Sequence, residues 1–336
     1  GRVDIDMKVL PIFVAIVPTA LALRNTALVF VKPHASTDAV EKFVRDRLQT
    51  AGVSIIDAGT KEAEEIDRMK LIDQHYGSLA RLAMETEPSD LTITPTALAA
   101  FEETYGMPWS TALGTTMTNP DAMAKLGVDG KTLEGLWRGG KDLKLAPGTY
   151  ISPLTQQTED GTTIFTINGF YPAMRQAFVQ QGAMVRYLVC EFDEDTLSWR
   201  SFRRDVIGAT NPADAVPSSC RGAMLSKWEE LGLPEAPSMA SNGVHASAGP
   251  LEGLKERAVW CGADVAMDAL AVQLGQAGVS SATLDSWLED NPTVTLGDQT
   301  DKIFDLTEEM GAAAVVDLCR GSLGGVFEYD AAEAIY

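Results

Sequence analysis

The chain has 336 residues and a formal net charge of −20, which argues against a broad surface for nucleic-acid backbones and makes nucleic acid an unexpected partner. A hydrophobic fraction of 45% and a charged fraction of 22% are those of an ordinary globular protein, long enough for one large domain or two modest ones. An anionic small substrate would have to be held by a local basic pocket in an acidic surround.

In chain order, residues 1–24 come first. Met7-Lys8 leads into an apolar stretch from Val9 to Leu23 containing Thr19-Ala20-Leu21-Ala22. This reads as an apolar leader or a signal peptide, too short for a stable membrane span. The expected compartment is the cytoplasm, with the secretory pathway or an organelle as the alternative if residues 7–22 act as a signal. Asn25 to Val31 (NTALVFV) is β-branched and aromatic and stops at Lys32-Pro33, predicting a buried strand. Ser36-Thr37-Asp38 supplies a cap for a helix with Val40, Phe43, Val44 and Leu48 at helical spacing, ended by Gly52. Val53 to Ala58 predicts the next strand, and Lys61 to Leu82 one or two helices bearing His75 and Tyr76.

From 85 to 167 the texture changes. Pro88, Pro95, Pro108, Pro120, Pro147 and Pro153 punctuate short helical patches such as Thr96 to Tyr105 and Asp121 to Leu126. No motif there attaches to chemistry, and the stretch reads as an inserted subdomain. Phe170 to Val179 resumes a helix, Ala183 to Phe192 is a strong central strand, and Thr196 to Val206 is helical with Trp199 and Phe202 inward. Pro250 suits the first turn of a helix continuing through Leu251, Leu254 and Ala258. Residues 261–336 read as a helical C-terminal extension, with patches at Val265 to Leu274, Ala282 to Leu288, Lys302 to Met310 and Ala312 to Cys319. Cys190, Cys220, Cys261 and Cys319 show no CxxC or zinc spacing and read as reduced, mostly buried thiols. The element order is that of a split βαβ arrangement: an α/β fold (α+β sandwich) with a ferredoxin-like antiparallel sheet and helices on its faces.

Two stretches carry chemistry. His245, one of 3 histidines, lies in Ser241-Asn242-Gly243-Val244-His245-Ala246-Ser247, where small neighbours leave an imidazole reachable. Asn242 and Ser247 add an amide and a hydroxyl. The run Arg204 to Pro212, followed by Arg221-Gly222, offers two guanidiniums and the Thr210 hydroxyl in a Gly/Pro-punctuated loop suited to phosphate. Together they point to phosphoryl transfer through histidine. Taken singly, His245 could be a structural histidine, Arg204 and Arg221 surface ion-pair residues, Phe170 a core residue and Glu256 part of a solvated helix face. His34 and His75 read as surface or supporting groups.

In register, the pieces resemble the nucleoside diphosphate kinase family. They are VFVKP at Val29 to Pro33, QHY at Gln74 to Tyr76, GFYP at Gly169 to Pro172, RDVIGATNPAD at Arg204 to Asp214, CRG at Cys220 to Gly222, NGVHAS at Asn242 to Ser247, and Glu256 to Trp260. The resemblance covers residues 25–84 and 168–260 and is nearest to long, insertion-bearing members like those of single-celled eukaryotes. It implies that ATP gives its γ-phosphoryl group to His245 and a nucleoside diphosphate then takes it, by a ping-pong route. The resemblance further implies that Glu256 orients the ring, Ser247 positions that carboxylate or the phosphoryl oxygens, and Tyr76 sits beside the histidine. Arg204, Thr210 and Arg221 would hold phosphate, Lys32 and Asn242 the ribose, and Phe170 the stacked base. Magnesium would arrive on the nucleotide phosphates, without a dedicated carboxylate cage. The implied partners are ATP and other nucleoside di- and triphosphates, in a homo-oligomer.

The chain departs from the family where KPDG becomes Lys32-Pro33-His34-Ala35 and HGSD becomes His245-Ala246-Ser247-Ala248. The insertion also falls within the helical hairpin that lids the nucleotide. These differences leave a second reading, a catalytically weak nucleotide-binding or scaffold protein that uses the insertion and extension for assembly.

Overall fold

The computed structural model describes residues 23–322. Four strands, β1 (Asn25–Val31), β2 (Ser54–Glu62), β3 (Met184–Phe192) and β4 (Val244–Ala246), form an antiparallel sheet in the order β2-β3-β1-β4. β1 shows why it lies inside. Ala27, Val29 and Val31 enter one core, while Leu28 and Phe30 enter another. Side chains alternate across a strand, so a run that is apolar at every position must be covered on both faces. The order and the helices between the strands make the ferredoxin-like sandwich expected from the sequence.

On one face, α1 (Asp38–Thr50) packs Val40, Val44 and Leu48 against the sheet together with Trp199 and Phe202. The Thr37 hydroxyl caps α1 by accepting the Val40 N–H. The opposite face is covered by α2 (Ala63–Arg68), α3 (Leu71–Tyr76), α5 (Tyr171–Val179) and α6 (Pro250–Cys261), with α4 (Ser78–Met84) beside α5. The stretch read over 61–82 as one or two helices is thus three short ones. Chain breaks at Lys70 (φ 51) and Gly77 (φ 53) separate them, and β2 runs on to Glu62. The stretch after β3 begins at Trp199 and widens into a π-helical turn, Phe202–Ile207, in place of a plain α-helix.

Residues 85–167 are more than helical patches. They hold a second sheet of Thr116–Met117, Phe165–Ile167, Thr149–Pro153 and Leu143–Ala146, neighbours in that order, around Phe101, Ile151 and Phe165. Strands this short show too few alternations to be read from the sequence. The extension contains a hairpin, Thr293–Leu296 with Gln299–Lys302, where only helices were expected. It packs Leu274, Trp287 and Val315 onto Leu251 and Leu254 of α6. All four cysteines are free, and Cys190, Cys220 and Cys319 are buried. Among the described residues no helix is long and apolar enough to cross a membrane. The leader read over 1–24 lies, up to residue 22, outside the described residues, as does the extension from 323.

Candidate active site

β4 pairs with β1 so that His245 stands opposite Phe30. Residues facing each other across a strand pair project to the same side of the sheet, and Phe30 belongs to the core that contains Trp260 of α6. The imidazole therefore points towards α6, stacked on the Phe30 ring at a centroid distance of 4.5 Å. The chain turns after β4, and Pro250 starts α6 with Gly249 as its cap. Glu256, 11 residues after the histidine, comes back over the strand with Oε1 2.7 Å from His245 Nε2. Its Oε2 lies 2.6 Å from Ser247 Oγ, which also accepts the Leu28 N–H at 2.9 Å. Ser247 is 0% and Glu256 2% exposed. The carboxylate is held at both oxygens.

Burial lowers the His245 pKa to about 3, helped by the positive charges of Lys32, Arg221 and Arg203. Burial also raises that of Glu256. The imidazole is thus neutral at physiological pH, and its tautomer follows from the hydrogen bond. Glu256 accepts the Nε2 proton, so the lone pair is on Nδ1. His75 stands edge-on to His245 at 4.7 Å, and its Nδ1 accepts the Trp260 indole N–H at 3.3 Å. Burial brings its pKa to about 3 as well. Of the two roles read for His75, surface or supporting, the buried ring fits the supporting one. Tyr76 meets His75 edge-on at 5.0 Å, and burial pushes its phenol to about 12.

A second group of residues carries charge. Arg221 donates to Val244 O from Nε and Nη2, at 3.2 and 2.7 Å, and to Gly208 O from Nη1 at 2.8 Å. Among the described residues no carboxylate lies within ion-pair distance of it, and burial lowers its pKa to about 10. Burial and the Arg221 charge bring Lys32 to about 8. Two buried cations, Lys32 lowered by the Arg221 charge and Arg221 by that of Arg203, make a place for an anion. Gly243 has φ +81, a left-handed backbone that favours glycine in the loop before His245. Asn242 is 3% exposed and donates to Thr210 O at 3.1 Å, while its Oδ1 is buried without a partner. The Thr210 residue is exposed.

Other residues expected at the site lie elsewhere. Arg204 is bidentate with Asp205 at 2.8 and 2.9 Å, and its side chain is 65% exposed. Phe170 is half-buried, edge-on to Trp137 of the insertion at 5.6 Å and packed also against the cluster of Ala80, Ala83 and Tyr171, so its ring is shared between the insertion and α4 and α5. Conversely, sequence reasoning passed over Arg203, whose charge reaches His245 and Arg221, and Glu252. The Glu252 carboxylate accepts the Ala248 N–H, and burial followed by the Glu256 charge raises its pKa to about 7. An acid three residues after a helix cap, as at Gly249 and Glu252, is a signal that could have found it.

His75, His245 and Glu256 each place one ligand atom within 4.8 Å of the others. Two imidazoles and one oxygen do not suit Mg2+, which takes oxygen ligands. A cavity of about 730 Å3 lined by Lys70, Arg81, Lys255, Val259, Leu288 and Glu289, among others, does not include His245 or Arg221 in its walls.

No family model matches the chain, and no curated protein matches it. Among solved structures, a nucleoside diphosphate kinase from Encephalitozoon cuniculi in its apo form is similar at 14% identity and a TM-score of 0.34, with 71% of this chain and 90% of that chain covered. An NDP kinase from Pyrobaculum aerophilum is similar at 15% identity and a TM-score of 0.32, with 71% and 96% covered.

Proposed function

We propose that the protein is a nucleoside diphosphate kinase that works by a ping-pong mechanism through phosphohistidine at His245. The observation that carries this reading is the Ser247–Glu256–His245 relay, with the serine and carboxylate buried, the imidazole half-buried, and Glu256 Oε1 2.7 Å from Nε2. Such a relay leaves Nδ1 as an unprotonated nucleophile without a proton transfer before attack. The Nδ1 lone pair forms the N–P bond while the bond from phosphorus to the bridging oxygen breaks, and that oxygen leaves with the electron pair on the nucleoside diphosphate. The positive charge that develops on the ring is shared with Glu256 through the Nε2 proton. In the second half, a terminal phosphate oxygen of the incoming diphosphate attacks the same phosphorus and Nδ1 recovers its lone pair.

Arg221 and Lys32 supply fixed positive charge for a phosphoryl group whose equatorial oxygens carry most of the transition-state charge. The unpartnered Asn242 oxygen is suited to a ribose hydroxyl, and the exposed Thr210 hydroxyl to a phosphate oxygen. Tyr76 acts through His75. The substrate would be the magnesium complex of the nucleotide, its phosphate oxygens holding an ion that would offset their charge. Phe170 and Arg204, as placed, favour a looser grip on base and phosphate than the motif register implies. That observation keeps open the second reading of a catalytically weak nucleotide-binding protein.

The test is incubation with γ-labelled ATP and magnesium. The expected product is an acid-labile, alkali-stable label that is lost in His245→Ala and passes to added GDP. Absence of label on the wild type refutes the enzyme reading. Label that forms but turns over slowly selects the weak one.

A further inference from the structure

The C-terminal extension reaches the site itself. Glu309 donates its backbone N–H to Ala248 O at 2.9 Å, in the turn between β4 and α6. A Cβ on Gly249 would lie 2.8 Å from Thr307 O, so only glycine lets the two segments approach. From this position Glu308 and Glu309 both take Arg203 Nη1, the latter at 3.2 Å, and Glu309 also takes Arg200 Nε at 3.1 Å. Glu309 holds a left-handed backbone, φ 58, which a non-glycine residue adopts only under constraint. The segment is anchored just beyond, where the Ala312 N–H donates to Asn25 Oδ1 at the start of β1. Arg203 lies on the π-helical turn that packs against β4, and its charge is felt at His245, Arg221 and Glu252. Its neighbour Arg204 faces solvent.

We propose that Glu308 and Glu309 are a built-in counter-anion for Arg203, which the substrate's phosphate replaces, so that Arg203 is the second phosphate-binding arginine of this site. Two carboxylates on one guanidinium nitrogen, on a turn that packs against the strand of His245, imitate the charge and the oxygen acceptors of a phosphate. The extension then sets affinity by competition: each phosphate bound must first displace the acidic pair. An ion pair that served only to fix the extension needs one carboxylate, as Arg81 with Asp290 shows, whereas Arg203 takes two.

The inference rests on the kinase reading for its substrate but not for its test. Affinity for MgADP and for inorganic pyrophosphate is measured by calorimetry on the full chain, in wild type, in the double variant Glu308→Gln/Glu309→Gln, in Arg203→Ala and in Arg204→Ala. Thermal unfolding of each is followed in parallel. The double variant is expected to bind both ligands about three- to five-fold tighter, as partly exposed ion pairs allow. Arg203→Ala is expected to bind both at least about ten-fold more weakly, and Arg204→Ala close to wild type. Unchanged or weaker binding by a folded double variant overturns the proposal, as does a larger loss in Arg204→Ala than in Arg203→Ala. Pyrophosphate binding that follows this pattern without MgADP binding would sink the kinase reading and leave the counter-anion standing. Binding of neither ligand refutes both.

Discussion

His245, Glu256 and Ser247 are tied to one another and to the backbone of β1 through buried and part-buried hydrogen bonds, whereas Arg204 and Thr210, read from the same motif register, are exposed, and Phe170 is drawn partly into the insertion. The first set hangs on a strand, a short turn and a helix, whose geometry follows from spacing alone. The second hangs on a π-helical turn, an open loop and the junction with an insertion, where one residue of phase turns a side chain round. A tightly hydrogen-bonded centre can therefore stand beside a surface whose side chains are far less constrained.

The sharpest way to break this contrast is at the relay. Glu256→Ala frees the Nε2 proton to move to Nδ1 and removes the partner of the developing ring charge. The rate of His245 phosphorylation in single-turnover quench-flow is expected to fall at least about 100-fold. A loss of only a few-fold would mean that the tautomer is not set by this carboxylate. Ser247→Ala comes next and acts on the fold. It leaves the Leu28 N–H and one Glu256 oxygen buried without their partner, an expected cost of about 1–3 kcal/mol in urea unfolding. If stability is unchanged, the relay is less dry than its burial indicates.

What could be read from the sequence follows the same division. β1 was legible because it is apolar at every position, and α1 because Thr37 and Gly52 bracket its apolar stripe. Pro250 made the start of α6 legible, but Glu256 was picked out by the resemblance alone, since among Glu252, Lys255 and Arg257 it reads equally as part of a solvated helix face. The strands of the insertion were not legible, being too short for a period, and the hairpin around Gly297-Asp298 was hidden among helical patches. The phase of Arg203 and Arg204 depends on the π-helical turn, and no residue pattern announces that turn. His75 resembled any histidine on a helix until α6 closed over it.

A smaller effect separates the two acids of α6, Glu256 buried and Glu252 half-buried. In the folded protein Glu252 titrates at about 7 against an ordinary 4.5, so the folded state binds this proton more tightly. The resulting stability is complete below about 4.5 and is lost as pH rises through about 7. His245 and His75, lowered to about 3 from 6.5, have the opposite sign: their contribution is complete above 6.5 and lost as pH falls towards 3. Glu252→Gln removes only the first. Relative to wild type, its stability in urea should improve steadily from about pH 5 to pH 8. A parallel pair of pH profiles would place Glu252 in solvent. Activity should meanwhile show no acid limb at the ordinary histidine pKa, because the His245 ring stays neutral well below it.

The smallest expected effect is the most pointed, because the motif register and the geometry disagree about it. Arg204→Ala removes the arginine that the register assigns to phosphate. In the structure that side chain is spent on Asp205 at the surface, where an ion pair is screened and contributes little. The KM for the nucleoside triphosphate should therefore change by less than about two-fold, and thermal stability hardly at all. A ten-fold rise in KM would show that nucleotide binding turns the π-helical segment and draws Arg204 inward. The substrate-facing end of the site would then be assembled by the ligand, while the relay end stands ready without it.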